Sequence, residues 1–407
     1  MPAISELDLP VFDYTDQDLR GERYREAMRA LDGDDWIVAG PLGFLVLDRE
    51  AGEFFLRTKS AVFPGLTIAE LFGVEDGPLR EEVEGNIINV NGDDHRRLRN
   101  LVNPALSPRA SDRHRPAMRG FLEELLEALP EDGRCEFVEA FAKPYPSLTI
   151  AHVLGAPLKD APRLHDWSNW IQRQFDAASL VTDRERIEQA VVEAYAYLGG
   201  LLDNRRRSPG EDVITALLAA EDQGDRLSHA EVRDLVLDLI LGGIDTAQSQ
   251  LSHAVRLLAE HPDQWAALRE RPDELAAAAV EEALRYEPVT PFTARITVET
   301  VEYRDVTFPP GTVVMVSAWH ANRQGTKEAF DITADRGKAR ILTFGAGIHY
   351  CVGANLARAE LEEALAFLAR RVEAIELDGE PEYGTITGIY GLDALPVKLR
   401  LARPRSS

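Results

Sequence analysis

The stretch Phe344-Gly345-Ala346-Gly347-Ile348-His349-Tyr350-Cys351-Val352-Gly353-Ala354-Asn355-Leu356-Ala357-Arg358 decides the reading of this chain. Its first two glycines permit a tight turn with unusual backbone angles. Cys351 falls where the turn becomes a helix, since apolar positions at helical spacing follow over 356–372. The free N–H groups of a first helical turn and the helix dipole stabilise an anionic thiolate at such a place. Gly353 has no side chain, so a flat partner can lie close. A thiolate so placed is a nucleophile or a metal ligand. Nothing around it suggests a protease or phosphatase, which favours the ligand. The other cysteine, Cys135, suits the ordinary role of a small buried hydrophobe.

Working outward, the next unusual segment lies in a long helical pattern. Ser228-His229-Ala230-Glu231 reads as a capping box, and the pattern runs on to His261-Pro262. About thirty residues at ~1.5 Å each predict one helix about 45 Å long, enough to cross the molecule. Residues 235–241 are apolar on nearly all sides, which predicts burial. In its middle stands Gly242-Gly243-Ile244-Asp245-Thr246. Each glycine costs roughly 1 kcal/mol in a helix interior, and a buried Asp needs a partner. Either something approaches the backbone there and uses an acid and a hydroxyl, or the helix is kinked or closely crossed.

Two further pairs share a helix face. Glu282-Ala283-Leu284-Arg285 sets acid and base three apart, which is also the spacing of an ordinary surface ion pair. His95 and Arg99 lie one turn apart and suit an anion such as a carboxylate, or form a solvated basic face.

The remainder of the chain bounds the answer. It has 407 residues, 45% hydrophobic and 28% charged, with a net charge of −24. This is globular composition, and the negative balance argues against a nucleic-acid partner. Two cysteines exclude a disulfide framework and fit a reducing compartment. Neither a signal peptide nor a membrane-spanning run is evident, so a soluble cytoplasmic protein is expected. Helical patterns also cover 121–129, 187–202 and 275–286. Strand patterns cover 36–46, 300–317 as a hairpin around Pro309-Pro310-Gly311, and 395–401. The expected fold is mainly α, a helical body with a small β-rich lobe built from both ends of the chain.

Taken together, these four sites resemble the cytochrome P450 superfamily in its soluble bacterial form. The cysteine loop matches the family pattern F-G-x-G-x-H-x-C-x-G-x-x-L-A-R at every fixed position. Residues 242–246 are similar to the A/G-G-x-D/E-T signature, 282–285 to E-x-x-R, and Asn322-Arg323 to the family's segment there. The resemblance implies the P450 fold, a helical prism, as one domain over 1–407 with its β-lobe from about 1–65, 295–320 and 380–403.

By the same resemblance, haem b is the cofactor and Cys351 its axial thiolate ligand, a donor that favours O–O cleavage. His95, Arg99, Arg295 and His349 match positions that bind the haem propionates. Phe344 packs beside the cysteine, Gly243 leaves space for dioxygen, and Asp245 and Thr246 deliver protons during its activation. Glu282 and Arg285 hold the proximal scaffold. The family usually adds an Arg or His just before the meander's Phe-Asp; here Ala329 stands at that place, and Arg323 or Arg336 is the expected substitute. Pocket positions are Phe63, Leu66, Leu71, Ile171, Phe175, Leu239, Ile240, Val289, Phe292 and Ile389, which are apolar and imply a hydrophobic small-molecule substrate.

The implied activity is monooxygenation with electrons from a separate ferredoxin or flavodoxin. A peroxide-driven peroxygenase is the rival; such sequences tend to lose the acid–alcohol pair that this one keeps. A haem sensor or electron carrier is the rival of another class. Arg109, Arg113, His114, Arg115, Arg336, Lys338, Arg340 and Arg358 form an expected basic patch for the redox partner, unless they pair with acids such as Asp112 and Asp335.

Overall fold

The computed structural model describes residues 1–222, 227–325, 329–337 and 341–402. Helices dominate, and the helical expectations hold within a few residues: Arg115–Glu127, Arg184–Arg207, Pro272–Tyr286 and Ala354–Arg371. One large apolar core joins them, from Val74 through Leu237 to Leu365.

The long central helix is present but broken. Ser228 caps it as expected: its Oγ accepts from Glu231 N at 3.2 Å and Glu231 Oε2 accepts from Ser228 N at 2.7 Å. The first part is His229–Gly243 and the second Asp245–Glu260, separated at Ile244 with φ −91° and ψ −69°. The Thr246 hydroxyl donates to the Gly242 carbonyl at 2.6 Å, occupying an acceptor that the helix ladder would otherwise use. The unbroken helix expected from periodicity is therefore corrected to two segments, and the breaking residues are those that stood out in the sequence.

The strands depart further from expectation. Residues 36–46 are a hairpin of Ile37–Gly40 and Gly43–Val46, not one strand. These strands join a five-stranded sheet with Val313–Ser317, Phe292–Thr297 and Ala61–Val62. The hairpin expected at Pro309–Gly311 turns instead at Arg304 and Asp305, both at positive φ, between Val301–Tyr303 and Val306–Phe308. The prolines then lead to a strand of a different sheet, since proline cannot donate to a ladder. The C-terminal strand Pro396–Leu401 does not join the N-terminal lobe. It lies between Arg134–Glu136 and Val372–Leu377, so mid-chain residues build that sheet.

Candidate active site

The cysteine loop is held from three sides. Cys351 N donates to Phe344 O at 2.9 Å, closing the turn. Gly347 has φ +73°, and a Cβ there would stand 2.4 Å from Leu56 O, so only glycine fits against the end of the Arg49–Arg57 helix. Before the loop, Asn322 Oδ1 accepts from Leu342 N at 2.7 Å and its Nδ2 donates to Thr343 Oγ1 at 2.9 Å. Thr343 in turn donates to Leu284 O at 2.7 Å. Asn322 thus ties the cysteine loop to the helix bearing Glu282 and Arg285, a role that its place in the sequence pattern did not reveal. The Ala354–Arg371 helix starts three residues after the cysteine. Burial raises the Cys351 thiol pKa, while backbone N–H groups of Gly353 and Ala354 and the charges of Arg99 and Arg358 pull it down. In this arrangement the helix start alone does not give a thiolate.

The E-x-x-R pair is not on the surface. Glu282 and Arg285 are 3% and 2% exposed, joined by bonds of 2.8 and 2.7 Å. Arg336 supplies the third partner, donating to Glu282 at 3.0 and 2.6 Å and to Ala329 O at 2.7 Å. Of the two expected substitutes it is therefore Arg336 that serves. Arg323 instead donates to Tyr286 O at 2.6 Å and stacks on Trp319. Burial raises the Glu282 carboxyl pKa, but the bonds from Arg285, Arg336 and Asp331 N outweigh it and leave the group below its ordinary value.

His95, Arg99, Arg295 and His349 are brought together. The His95 and His349 rings lie 4.5 Å apart, and burial with the charges of His95, Arg295 and Arg99 pushes His349 down to about 3. Arg295 is 3% exposed, donates only to Ala294 O, and burial lowers it to about 10. Arg99 donates to Tyr350 O. His95 Nε2 is buried and has no hydrogen-bond partner among the described residues. Among the described residues no carboxylate pairs with any of the four. Four gathered donors without an acid fit a ligand that brings its own anionic groups.

The central helix presents a second set. Among residues 235–247, only Asp238, Gly242, Gly243 and Thr246 are not buried. A Cβ on Gly242 meets nothing within 4 Å, whereas one on Gly243 would stand 2.4 Å from Ile150 Cδ1. The open position expected at Gly243 is thus found at Gly242, which opens onto space, while Gly243 allows the Pro144–Leu154 helix to pack closely. Asp245, 6% exposed, faces the Ala161–Gln172 helix. Ser168 Oγ donates to its Oδ2 at 2.7 Å, and His165 Nε2, which also contacts Gln248, lies 3.7 Å from Oδ1. Burial raises the Asp245 pKa, opposed by His165 and Ser168.

The apolar pocket positions divide. Phe63 and Phe175 make an edge contact at 5.8 Å, and Phe175 lines a cleft with Gly65, Ile68, Leu180, Asn89 and Gln174. Leu66 packs on the core nearby, and Val289 O accepts from Tyr390 N at 2.7 Å, bringing Ile389 alongside. Leu239 is at the edge of burial. Leu71 is corrected: it is 73% exposed and points to solvent. Ile240 is also corrected, being fully buried two positions from Asp238 and so on the opposite side of the helix. Ile171 is likewise fully buried in the core. Phe292 packs beside Tyr14 in the β-lobe, with ring centroids 6.1 Å apart.

Among the described residues of the expected basic patch, three arginines are paired with acids. Arg115 pairs with Asp112, Glu362 and Glu363, Arg358 with Glu281, and Arg336 with Glu282. Burial, His152 and Arg113 push His114 down to about 4. Lys338 and Arg340 lie outside the described residues. Arg109 and Arg113 remain exposed and, among the described residues, form no ion pair. No helix among the described residues is long and apolar enough to cross a membrane.

Comparison with known proteins shows the family. The family model for cytochrome P450 matches residues 80–382. The chain is 34% identical over 403 residues to luteothin monooxygenase of Streptomyces thioluteus, covering 97% of each. It is 38% identical over 307 residues to the mycinamicin IV hydroxylase/epoxidase of Micromonospora griseorubida, covering 74% of this chain and 76% of that one. The crystal structure of CalO2 superposes with a TM-score of 0.89 at 33% identity, covering 96% of this chain and 99% of that one. The chain belongs to the cytochrome P450 family. It is a monooxygenase, an oxidoreductase whose family binds haem b through a cysteine thiolate.

Proposed function

We propose that the protein inserts one oxygen atom from dioxygen into a hydrophobic small organic molecule, taking electrons from a separate ferredoxin or flavodoxin. The observation that carries this reading is the quartet His95, Arg99, Arg295 and His349, gathered without a carboxylate beside the Cys351 loop. These residues would hold the two haem carboxylates, and Cys351 would supply the thiolate that binds the iron, with Phe344 beside it in the loop. When bound, haem supplies the activation of dioxygen.

The chain's own residues then manage protons and space. Gly242 keeps the helix face open. The Thr246 hydroxyl, parked on Gly242 O, is the proton-holding group nearest that space. Asp245 is an acid that burial keeps protonated more readily than usual, and it is positioned by Ser168 to pass a proton from the His165 side toward Thr246. Exposed Arg109 and Arg113 are the remaining candidates for contact with an acidic electron donor.

The test is electron accounting in the haem-loaded enzyme supplied with ferredoxin and its reductase. Thr246→Ala should retain substrate binding but divert electrons from product to hydrogen peroxide, and Thr246→Ser should restore coupling. Unchanged coupling in the alanine variant contradicts the assignment of Thr246.

A further inference from the structure

The pocket positions expected from the sequence are all apolar, but the central helix face adds an acid. Asp238, Gly242 and Thr246 recur every four residues, and none of the three is buried, although Leu237, Leu239, Leu241, Asp245 and Ala247 beside them are. Residues four apart share a helix face. Asp238 is therefore on the open face, two turns or ~12 Å along the helix from Thr246.

The Asp238 carboxyl is only half used. Its Oδ2 accepts from Ile87 N at 3.0 Å, and among the described residues no group donates to Oδ1. Its surroundings are acidic. Asp234 is one turn earlier, and Glu82 reaches in from the Gly77–Gly85 helix, whose negative C-terminal end precedes Asn86. Glu82 is 2% exposed and accepts from Asn86 Nδ2 at 2.9 Å, but among the described residues no donor reaches its Oε2 within hydrogen-bond distance, although the Gln174 amide lies near. Among the described residues the cation placed there is Arg233, which is shared between Asp234 and Glu81. Burial raises the Asp238 pKa well above its ordinary value; the Ile87 N–H lowers it, and Glu82 and Asp234 raise it further.

Buried acids in excess of cations are costly unless a cation joins them. We infer that Asp238 is a substrate-anchoring residue, and that the substrate is a hydrophobic molecule carrying a positively charged nitrogen about two helical turns from the carbon that is oxidised. This rests on the monooxygenase reading of the same open face. The alternative is a purely local role, in which Asp238 does no more than hold the Ile87 N–H.

The experiment uses haem-loaded protein and three probes of equal chain length, all below their micelle concentrations: dodecyltrimethylammonium, dodecanol and dodecanoate. The quaternary nitrogen cannot ligate iron, so binding reports the pocket alone. Isothermal titration and the haem Soret shift are the readouts. The wild type should bind the cation about tenfold more tightly than the alcohol, ~1.4 kcal/mol, and the carboxylate least. Asp238→Asn keeps the acceptor for Ile87 N and should erase the cation preference while leaving dodecanol binding unchanged. Asp238→Glu should retain part of it. Equal binding of cation and alcohol by the wild type, or an unchanged preference in Asp238→Asn, overturns the inference. If the reduced carbon monoxide complex still shows the thiolate Soret band in that case, the monooxygenase reading stands without it. Absence of that band in the wild type overturns both.

Discussion

The two faces of this site are built in opposite ways. On the cysteine side the buried acid of the scaffold is fully used: Glu282 accepts from Arg285, Arg336 and Asp331 N, and Asn322 and Thr343 bind loop to helix. On the central-helix side acid oxygens lack a hydrogen-bond donor among the described residues: Glu82 Oε2, Asp245 Oδ1 and, on half-buried Asp238, Oδ1. A satisfied network fixes one geometry, which suits a scaffold that must hold a ligand still. Unsatisfied acids keep a choice of protonation and partner, which suits proton delivery and substrate recognition.

The largest expected effect of a scaffold change comes from the satisfied side. Arg285→Ala removes one of three donors to buried Glu282 and should destabilise the protein by about 3 kcal/mol, at the low end for a broken buried pair because Arg336 still holds the carboxylate. Chemical denaturation of the haem-loaded protein measures this. A loss under 1 kcal/mol would mean that Arg336 alone carries the network.

The second effect sharpens the contrast by its sign. Glu282 has a folded pKa below its ordinary 4.5, so its contribution is present above that value and lost as pH falls below it. Glu82 is raised to about 7, chiefly by burial, so its side is most stable below about 4.5 and loses stability as pH rises toward 7 and beyond. Hydrogen exchange read after correction for intrinsic rates should show Pro272–Tyr286 loosening in acid and Gly77–Gly85 loosening toward neutral pH. The same direction in both helices would dissolve the comparison.

The smallest effect separates two adjacent glycines. Gly243→Ala drives a methyl into Ile150 and should cost about 1 kcal/mol after the gain in helix propensity, with Ile150→Ala relieving it. Gly242→Ala meets open space and should be neutral or slightly stabilising while narrowing the pocket. Thermal unfolding of the two variants tests which glycine faces open space.

What was legible in the sequence follows the same division. The cysteine loop was legible from its residues, whereas the E-x-x-R spacing and the His95–Arg99 pair also fitted an ordinary ion pair and a solvated face, and it was the resemblance to the P450 family that implied their roles and joined Arg295 and His349 to them. Arg336 was one of two candidates because Ala329 stands at the family's usual third-partner position, and the sequence does not show which guanidinium can reach Glu282. The open face was harder. Residues 235–241 read as apolar all round, and the single acid among them, Asp238, was passed over although an acid in a buried helix is itself a signal. Gly242 and Gly243 cannot be told apart without knowing where Ile150 lies. Exposed Leu71, buried Ile240 and the paired Arg115 and Arg358 depend on tertiary neighbours that no local pattern encodes. The strand errors arose because proline and glycine mark turns without saying which sheet the next strand joins.

The most direct test is a pair of spectra. Cys351→Ser should give a folded protein that lacks the long-wavelength Soret band which thiolate ligation gives the reduced carbon monoxide complex. Cys135→Ser, which alters a strand on the far sheet, should keep it. If Cys135→Ser loses the band and Cys351→Ser retains it, the assignment of Cys351, and with it the account of both faces, is wrong.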